Sequence, residues 1–235
     1  MKESIGEDMK TILCFGDSNT YGYIPDGSGR FPIDVRWTGR LQSALGDSAR
    51  VIEEGLCGRT TIFPDEVRDG RRGIDMIGTL VESHHPVDLL VVMLGTNDCK
   101  SAYHATAEQI TEGVRRVIER AKEHAPESMK VLLISPIHLG KGVGEDGFDP
   151  EFDKNSENVA KNLAEQYQNL AEKEGYAFLN AAEYAKPSET DREHLDQTGH
   201  QKLGAAIERK IREILEEDVP SPEEKSRENV SEKVA

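Results

Sequence analysis

Ser18 lies in Gly16-Asp17-Ser18-Asn19-Thr20, directly after the apolar run at residues 11–15 (TILCF). A strand that runs into such a turn and then a helix lifts a serine hydroxyl to the carboxyl edge of a sheet. There it is a candidate nucleophile, and its backbone N–H points out from a helix start, where partial positive charge favours an anion. The tripeptide Gly16-Asp17-Ser18 is also of a type that serves in ordinary turns and helix caps. A serine needs a base, and Asp191-Arg192-Glu193-His194 supplies one. The two-residue gap lets the Asp191 carboxylate fold back on the His194 Nδ1–H and leaves Nε2 to reach the serine. A rival pair, Asp196 and His200, follows closely. His200 falls inside the closing helix, where a helix-start or surface role is ordinary. A loop can deliver both Asp191 and His194 to the sheet edge, and that pair is preferred.

Acyl transfer also needs donors for a developing oxyanion. Two further segments that follow apolar runs can provide them. In Gly55-Leu56-Cys57-Gly58-Arg59-Thr60-Thr61, Gly58 has no side chain to block a backbone N–H donor, though a glycine can simply permit a turn. In Gly95-Thr96-Asn97-Asp98, the Asn97 amide can donate without titrating. Its alternative is an Asn-Asp turn that caps the next loop, with Asp98 in a structural turn role.

These segments must be positioned by elements, and the hydropathy pattern names them. Residues 11–15, 50–53, 88–94, 130–135 and 176–180 read as strands. Residues 36–45, 73–83, 107–124, 157–174 and 199–217 read as helices, the third with Ile110, Val114, Val117, Ile118 and Ala121 at helical spacing. Strands alternating with helices predict an α/β fold: a three-layer α/β/α sandwich around a central parallel sheet of about five strands. Ligands in such sheets bind beyond the carboxyl ends of the strands. Residues 139–153, rich in Gly and Asp, predict a mobile loop over that face. The expected organisation is a flexible N-terminus at 1–10, one domain at 11–219 and a disordered acidic tail at 220–235.

Composition narrows the function. A formal net charge of −15 disfavours nucleic acid and anionic membrane surfaces as partners. No run approaches the roughly 18 apolar residues of a spanning helix, and the polar start MKESIGEDMK lacks the order of a secretory signal. Three dispersed cysteines with no CxxC pair fit a reducing compartment, so a cytoplasmic location is expected.

The four blocks occur in one order along the chain: Gly16-Asp17-Ser18, Gly58, Gly95-Thr96-Asn97-Asp98, and the Asp191/His194 pair. In this the sequence resembles the SGNH hydrolases, also called GDSL esterases and lipases, from Thr11 to about Leu215. The resemblance implies a flavodoxin-like fold, a triad of Ser18, His194 and Asp191, and oxyanion donors from Ser18, Gly58 and Asn97. ILCFGDS, VRWTG, VIEEGL and MLGTND are similar to a narrower arylesterase-like branch that hydrolyses short-chain esters. Some members of that branch transfer acyl groups to alcohols or peroxide, and relatives are often homo-oligomers. Asn19 stands where GDSL proteins usually carry leucine, which would make one pocket-lining side chain polar. The segment Pro136-Ile137-His138-Leu139-Gly140 also departs from that branch's proline-rich version.

The expected function is therefore a serine esterase acting on small neutral esters (short-chain acyl, acetyl or aryl), with no cofactor and no metal. An acyltransferase or perhydrolase using the same site is the alternative, and a non-catalytic binding module a third. Other groups read as structural. His84-His85 sits at a helix end without a third metal ligand, Arg68, Arg71 and Arg72 suit a solvated, ion-paired helix start, and Cys57 and Cys99 suit small buried fillers. Trp37 fits either the acyl-pocket wall or a core anchor.

Overall fold

The apolar runs form one parallel sheet because helices cover both of its faces. A computed structural model describes residues 9–216 of the chain. Its strands are β1 (Lys10–Gly16), β2 (Ala49–Gly55), β3 (Leu89–Met93), β4 (Lys130–Ser135) and β5 (Ala177–Asn180). They lie in the order β2-β1-β3-β4-β5, and every pairing is parallel. β2 is longer than residues 50–53 because it pairs with β1 along its whole length, from Lys10 beside Ala49 to Gly16 beside Gly55.

Side chains alternate across the sheet with the two-residue period of a strand. Leu13, Phe15, Leu90, Val92 and Leu133 point into one apolar layer, which α3 (Gly73–Ser83), α4 (Ala107–Lys122) and α5 (Lys154–Glu174) cover. Ile12, Cys14, Leu89, Val91 and Leu132 point into the other, under α2 (Trp37–Leu45) and α6 (Gln197–Glu216). Truncating any of these leucines to alanine costs about 2–5 kcal/mol.

Helix starts follow local capping. Thr106 and Gln109 form a capping box on α4. Asp153 and Ser156 do the same on α5, which therefore opens at Lys154, ahead of its apolar stripe. Asp196 Oδ1 accepts from the Gly199 N–H at 2.6 Å, and α6 accordingly begins at Gln197.

The segment at residues 139–153 differs from its expected mobility. Leu139, Val143 and Phe152 are buried in the core, and the Gly142 N–H donates to Glu157 Oε1 at 2.7 Å. Three apolar anchors hold this glycine-rich loop to the body. Of the expected flexible N-terminus only Met9 and Lys10 are described, and Lys10 opens β1; the expected tail at 220–235 lies outside the described residues. Among the described residues no helix is long and apolar enough to cross a membrane.

Candidate active site

Because β1 and β3 are neighbours while their connections leave to opposite sides, a crevice opens at their carboxyl ends. Ser18 stands there, directly beyond β1, as the first residue of the short helix α1 (Ser18–Tyr21). Asp17 caps that helix, its Oδ1 accepting the Asn19 N–H at 3.0 Å. The turn closes only on glycine: a Cβ on Gly16 would lie 2.0 Å from Thr20 Oγ1 and 2.9 Å from the Met93 carbonyl oxygen.

The loop between β5 and α6 brings His194 and Asp191 to the same point. Ser18 Oγ lies 2.9 Å from His194 Nε2, and His194 Nδ1 lies 2.7 Å from Asp191 Oδ2. A carboxylate only accepts, so it fixes Nδ1 as the protonated nitrogen and leaves Nε2 to accept the serine proton. Asp191 Oδ1 also accepts the backbone N–H groups of Glu193 and His194, each at 3.0 Å. That turn puts Arg192 at φ 62°, which costs an ordinary residue roughly 1–2 kcal/mol. The 139–153 loop holds it there: Gly140 N–H donates to the Arg192 carbonyl at 2.7 Å, and the Arg192 guanidinium donates to the Gly142 carbonyl at 2.9 Å and lies 3.6 Å from the Phe148 ring centre.

Burial alone would lower the His194 pKa. The Asp191 hydrogen bond, with the charges of Glu193, Asp191 and Asp17, outweighs it and raises the pKa above its ordinary 6.5. The Tyr23 ring closes one side of the imidazole, at 4.6 Å between ring centres.

The rival pair has other work. Asp196 caps α6, and His200, though at the helix start as expected, is fully buried and not at the surface. Its Nδ1 accepts the Trp37 N–H at 3.4 Å, and burial pushes its pKa down to about 4. Trp37 is buried against α6 beside Gly204 and is a core anchor.

Gly58 and Asn97 lie in the turns that follow β2 and β3, the two strands flanking β1. Gly58 is at φ 79°, where a side chain would be strained, and a Cβ there would lie 2.8 Å from the Arg68 guanidinium. Arg68 itself pairs with Asp65 at 2.7 Å. Asn97 Nδ2 donates to the Arg59 carbonyl at 3.1 Å, which orients the amide and leaves its second hydrogen for another acceptor. The two turns are tied by Asp98, which is fully buried and accepts the Thr61 N–H at 2.9 Å. Burial pushes the Asp98 pKa up to about 7, against the Thr61 hydrogen bonds that lower it. Cys57 and Cys99 are unactivated: burial raises the first thiol to about 11 and the second well above its usual value.

Three neighbours of the site carry roles that the motifs did not reveal. Asn19 is buried and, rather than lining a pocket, clamps the histidine loop: Oδ1 accepts the Leu195 N–H at 2.8 Å and Nδ2 reaches the Glu193 carbonyl oxygen at 3.5 Å. Arg59 Nη1 donates to the Gly16 carbonyl at 2.8 Å and to the Glu54 carbonyl, tying the ends of β1 and β2. Glu193 is buried beside His194. Its position inside the Asp-x-x-His gap was the one available signal. Among the described residues no group of three or more His, Cys, Asp or Glu side chains could hold a metal ion.

The five-stranded parallel sheet between helix layers matches the fold of SGNH hydrolase structures, and the family profile of the GDSL-like lipases and acylhydrolases matches residues 14–202. The chain belongs to that family, the SGNH hydrolases, and is a carboxylic ester hydrolase of the GDSL type. Its fold is similar to solved structures of a carbohydrate acetylesterase family member from Sinorhizobium meliloti (35% identity, TM-score 0.82, covering 88% of this chain and 99% of that one) and of Est24, a carbohydrate acetylesterase from the same organism (32%, 0.80, 87% and 99%). It is also similar to the aryl esterase of M. smegmatis (32%, 0.78, 87% and 99%). No curated protein matches the chain.

Proposed function

We propose that the chain is a serine esterase for small neutral esters with short acyl groups, acetyl or aryl esters among them, working through an acyl-enzyme. The observation that carries this reading is the unbroken line from Ser18 Oγ through the His194 ring to Asp191, at 2.9 and 2.7 Å. Ser18 Oγ attacks the acyl carbon while His194 Nε2 takes its proton, and Asp191 steadies the imidazolium. The tetrahedral oxyanion accepts from the N–H groups of Ser18 and Gly58 and from the free hydrogen of the Asn97 amide. Nε2 then returns the proton to the departing alcohol, and water activated by the same nitrogen releases the acid.

Two features favour small and neutral substrates. The Arg68 guanidinium packs against Gly58 and crowds the side of the oxyanion donors. Asp17, Asp191 and Glu193 all bear on His194, in a chain of net charge −15, and this field repels anionic esters. The similar structures of an aryl esterase and of carbohydrate acetylesterases support aryl and acetyl esters as substrates. A panel of p-nitrophenyl esters from acetate to octanoate, with acetylated sugars beside it, tests the proposal. Rates should be highest for acetate and fall with chain length; a maximum at octanoate would refute the short-acyl reading.

A further inference from the structure

Glu193 fills the position immediately before His194, and its side chain is only 8% exposed. Yet no described residue donates a hydrogen bond to its carboxyl group. Its Oε1 lies 3.6 Å from His194 Nε2, an ion-pair contact when that ring is protonated but too far for a hydrogen bond. His194, Asp149, Asp191 and Lys100 act on it electrostatically, and Tyr23 and Cys57 feel its charge in turn. Lys100 is committed elsewhere, its Nζ bonded to Glu151 Oε2 at 2.6 Å. Oε1 therefore lies on the serine side of the imidazole, beside the nitrogen that contacts Ser18 Oγ. Burial pushes its pKa up to about 7. Neither oxygen is among the fully buried polar atoms left without a partner in the described residues, so the group keeps an opening through which a bound hydroxyl can donate to it.

The reaction coordinates fix what that is. As the Ser18 acyl bond forms and the ester C–O bond breaks, Nε2 hands its proton to the alcohol oxygen, which must lie about 3 Å from that nitrogen. Oε1 is 3.6 Å from the same nitrogen. The alcohol oxygen and Oε1 thus share Nε2 as a neighbour, so a hydroxyl on the carbon next to the ester-bearing carbon can donate to Oε1, whereas a plain alkyl chain offers no donor.

We propose that Glu193 is a specificity residue for the alcohol half of the ester, accepting a hydrogen bond from a hydroxyl adjacent to the scissile ester and so favouring polyol acetates over simple alkyl acetates. The inference rests on the esterase reading above and extends it to the leaving group. A site built to bond a hydroxyl discriminates strongly against the analogue that lacks it.

The test compares glyceryl monoacetate with propyl acetate, which share the acyl group and the three-carbon chain, by acid release in a pH-stat. The wild-type protein should show kcat/KM at least about tenfold higher for the glyceryl ester. Glu193→Val should erase that ratio, and the near-isosteric Glu193→Gln, which keeps an acceptor oxygen, should lower it about threefold. The ratio is internal to each variant, so any general loss of activity cancels. Should Glu193→Val fail to fold, the fall in the Glu193→Gln ratio decides. A wild type that turns over both esters without preference, or variants that keep the full preference, would overturn the role of Glu193 and leave the esterase reading intact. Failure of the wild type to hydrolyse these esters and p-nitrophenyl acetate alike would overturn both.

Discussion

Replacing Asn19 by alanine tests whether the serine helix and the histidine loop are held as one unit. The side chain is buried, and its Oδ1 is the acceptor for the Leu195 N–H at 2.8 Å. Removing it leaves a buried backbone donor unpaired, at a cost of about 1–3 kcal/mol. The second contact, at 3.5 Å to the Glu193 carbonyl, is at the limit of a hydrogen bond and adds little. A loss of about 2 kcal/mol corresponds to a fall in Tm of roughly 4–8 °C for a chain of this size. The catalytic effect should be larger than the stability effect suggests, because the two bonded peptides flank His194. A drift of Nε2 by about 1 Å from Ser18 costs on the order of 10²-fold in rate. Thermal denaturation and kcat on p-nitrophenyl acetate, measured well below Tm, give the two numbers. Asn19→Leu fills the volume but restores neither hydrogen bond, so it should recover part of the Tm and little of the kcat. If Asn19→Ala lowers Tm while kcat stays within twofold of wild type, the clamp does not position His194 and the reasoning fails.

Three further outcomes are expected. His194→Ala should abolish ester hydrolysis, and His200→Ala should cost stability, roughly 1–3 kcal/mol by denaturant titration, with a much milder loss of rate; the reverse order would shift the triad to Asp196 and His200. Asn97→Ala should lower kcat by roughly 10²–10³-fold, and an effect confined to KM would remove its amide from the oxyanion hole. Because the His194 pKa is raised and only the neutral imidazole acts as base, kcat/KM should fall on acidification with a midpoint above 6.5. A midpoint below 6.5 in a pH–rate profile would contradict that balance, and Asp191→Asn should move the midpoint down.

The fold was legible because its strands announce themselves. DLLVVML and KVLLIS have no polar interruptions once inside the sheet, as strands covered on both faces require, and the alternation with helices leaves few arrangements open. That Ser18, His194 and Asp191 meet was legible for a related reason: Ser18 follows an apolar run and the other two precede a helix, so topology sends them to one edge. What escaped depended on contacts between segments far apart in the chain. Asn19 bonds Leu195, Asp98 bonds Thr61 and Arg192 bonds Gly142, and none of these pairings leaves a periodic trace. Asp98 shows the consequence: its structural role reaches beyond its own turn, as a buried link between the Gly58 and Asn97 turns. The 139–153 loop misleads for the opposite reason, since its glycines and aspartates outnumber the three apolar anchors that hold it down.

Covalent capture of the nucleophile tests the central claim most directly. The wild-type protein treated with a fluorophosphonate should gain one adduct by intact mass, and peptide mapping should place it on Ser18. Labelling should disappear in Ser18→Ala and become much slower in His194→Ala, each with the thermal transition retained, because only a serine whose proton is taken by a neighbouring base attacks such a probe at a useful rate. An adduct on any other residue, or undiminished ester hydrolysis by purified Ser18→Ala, would contradict the account.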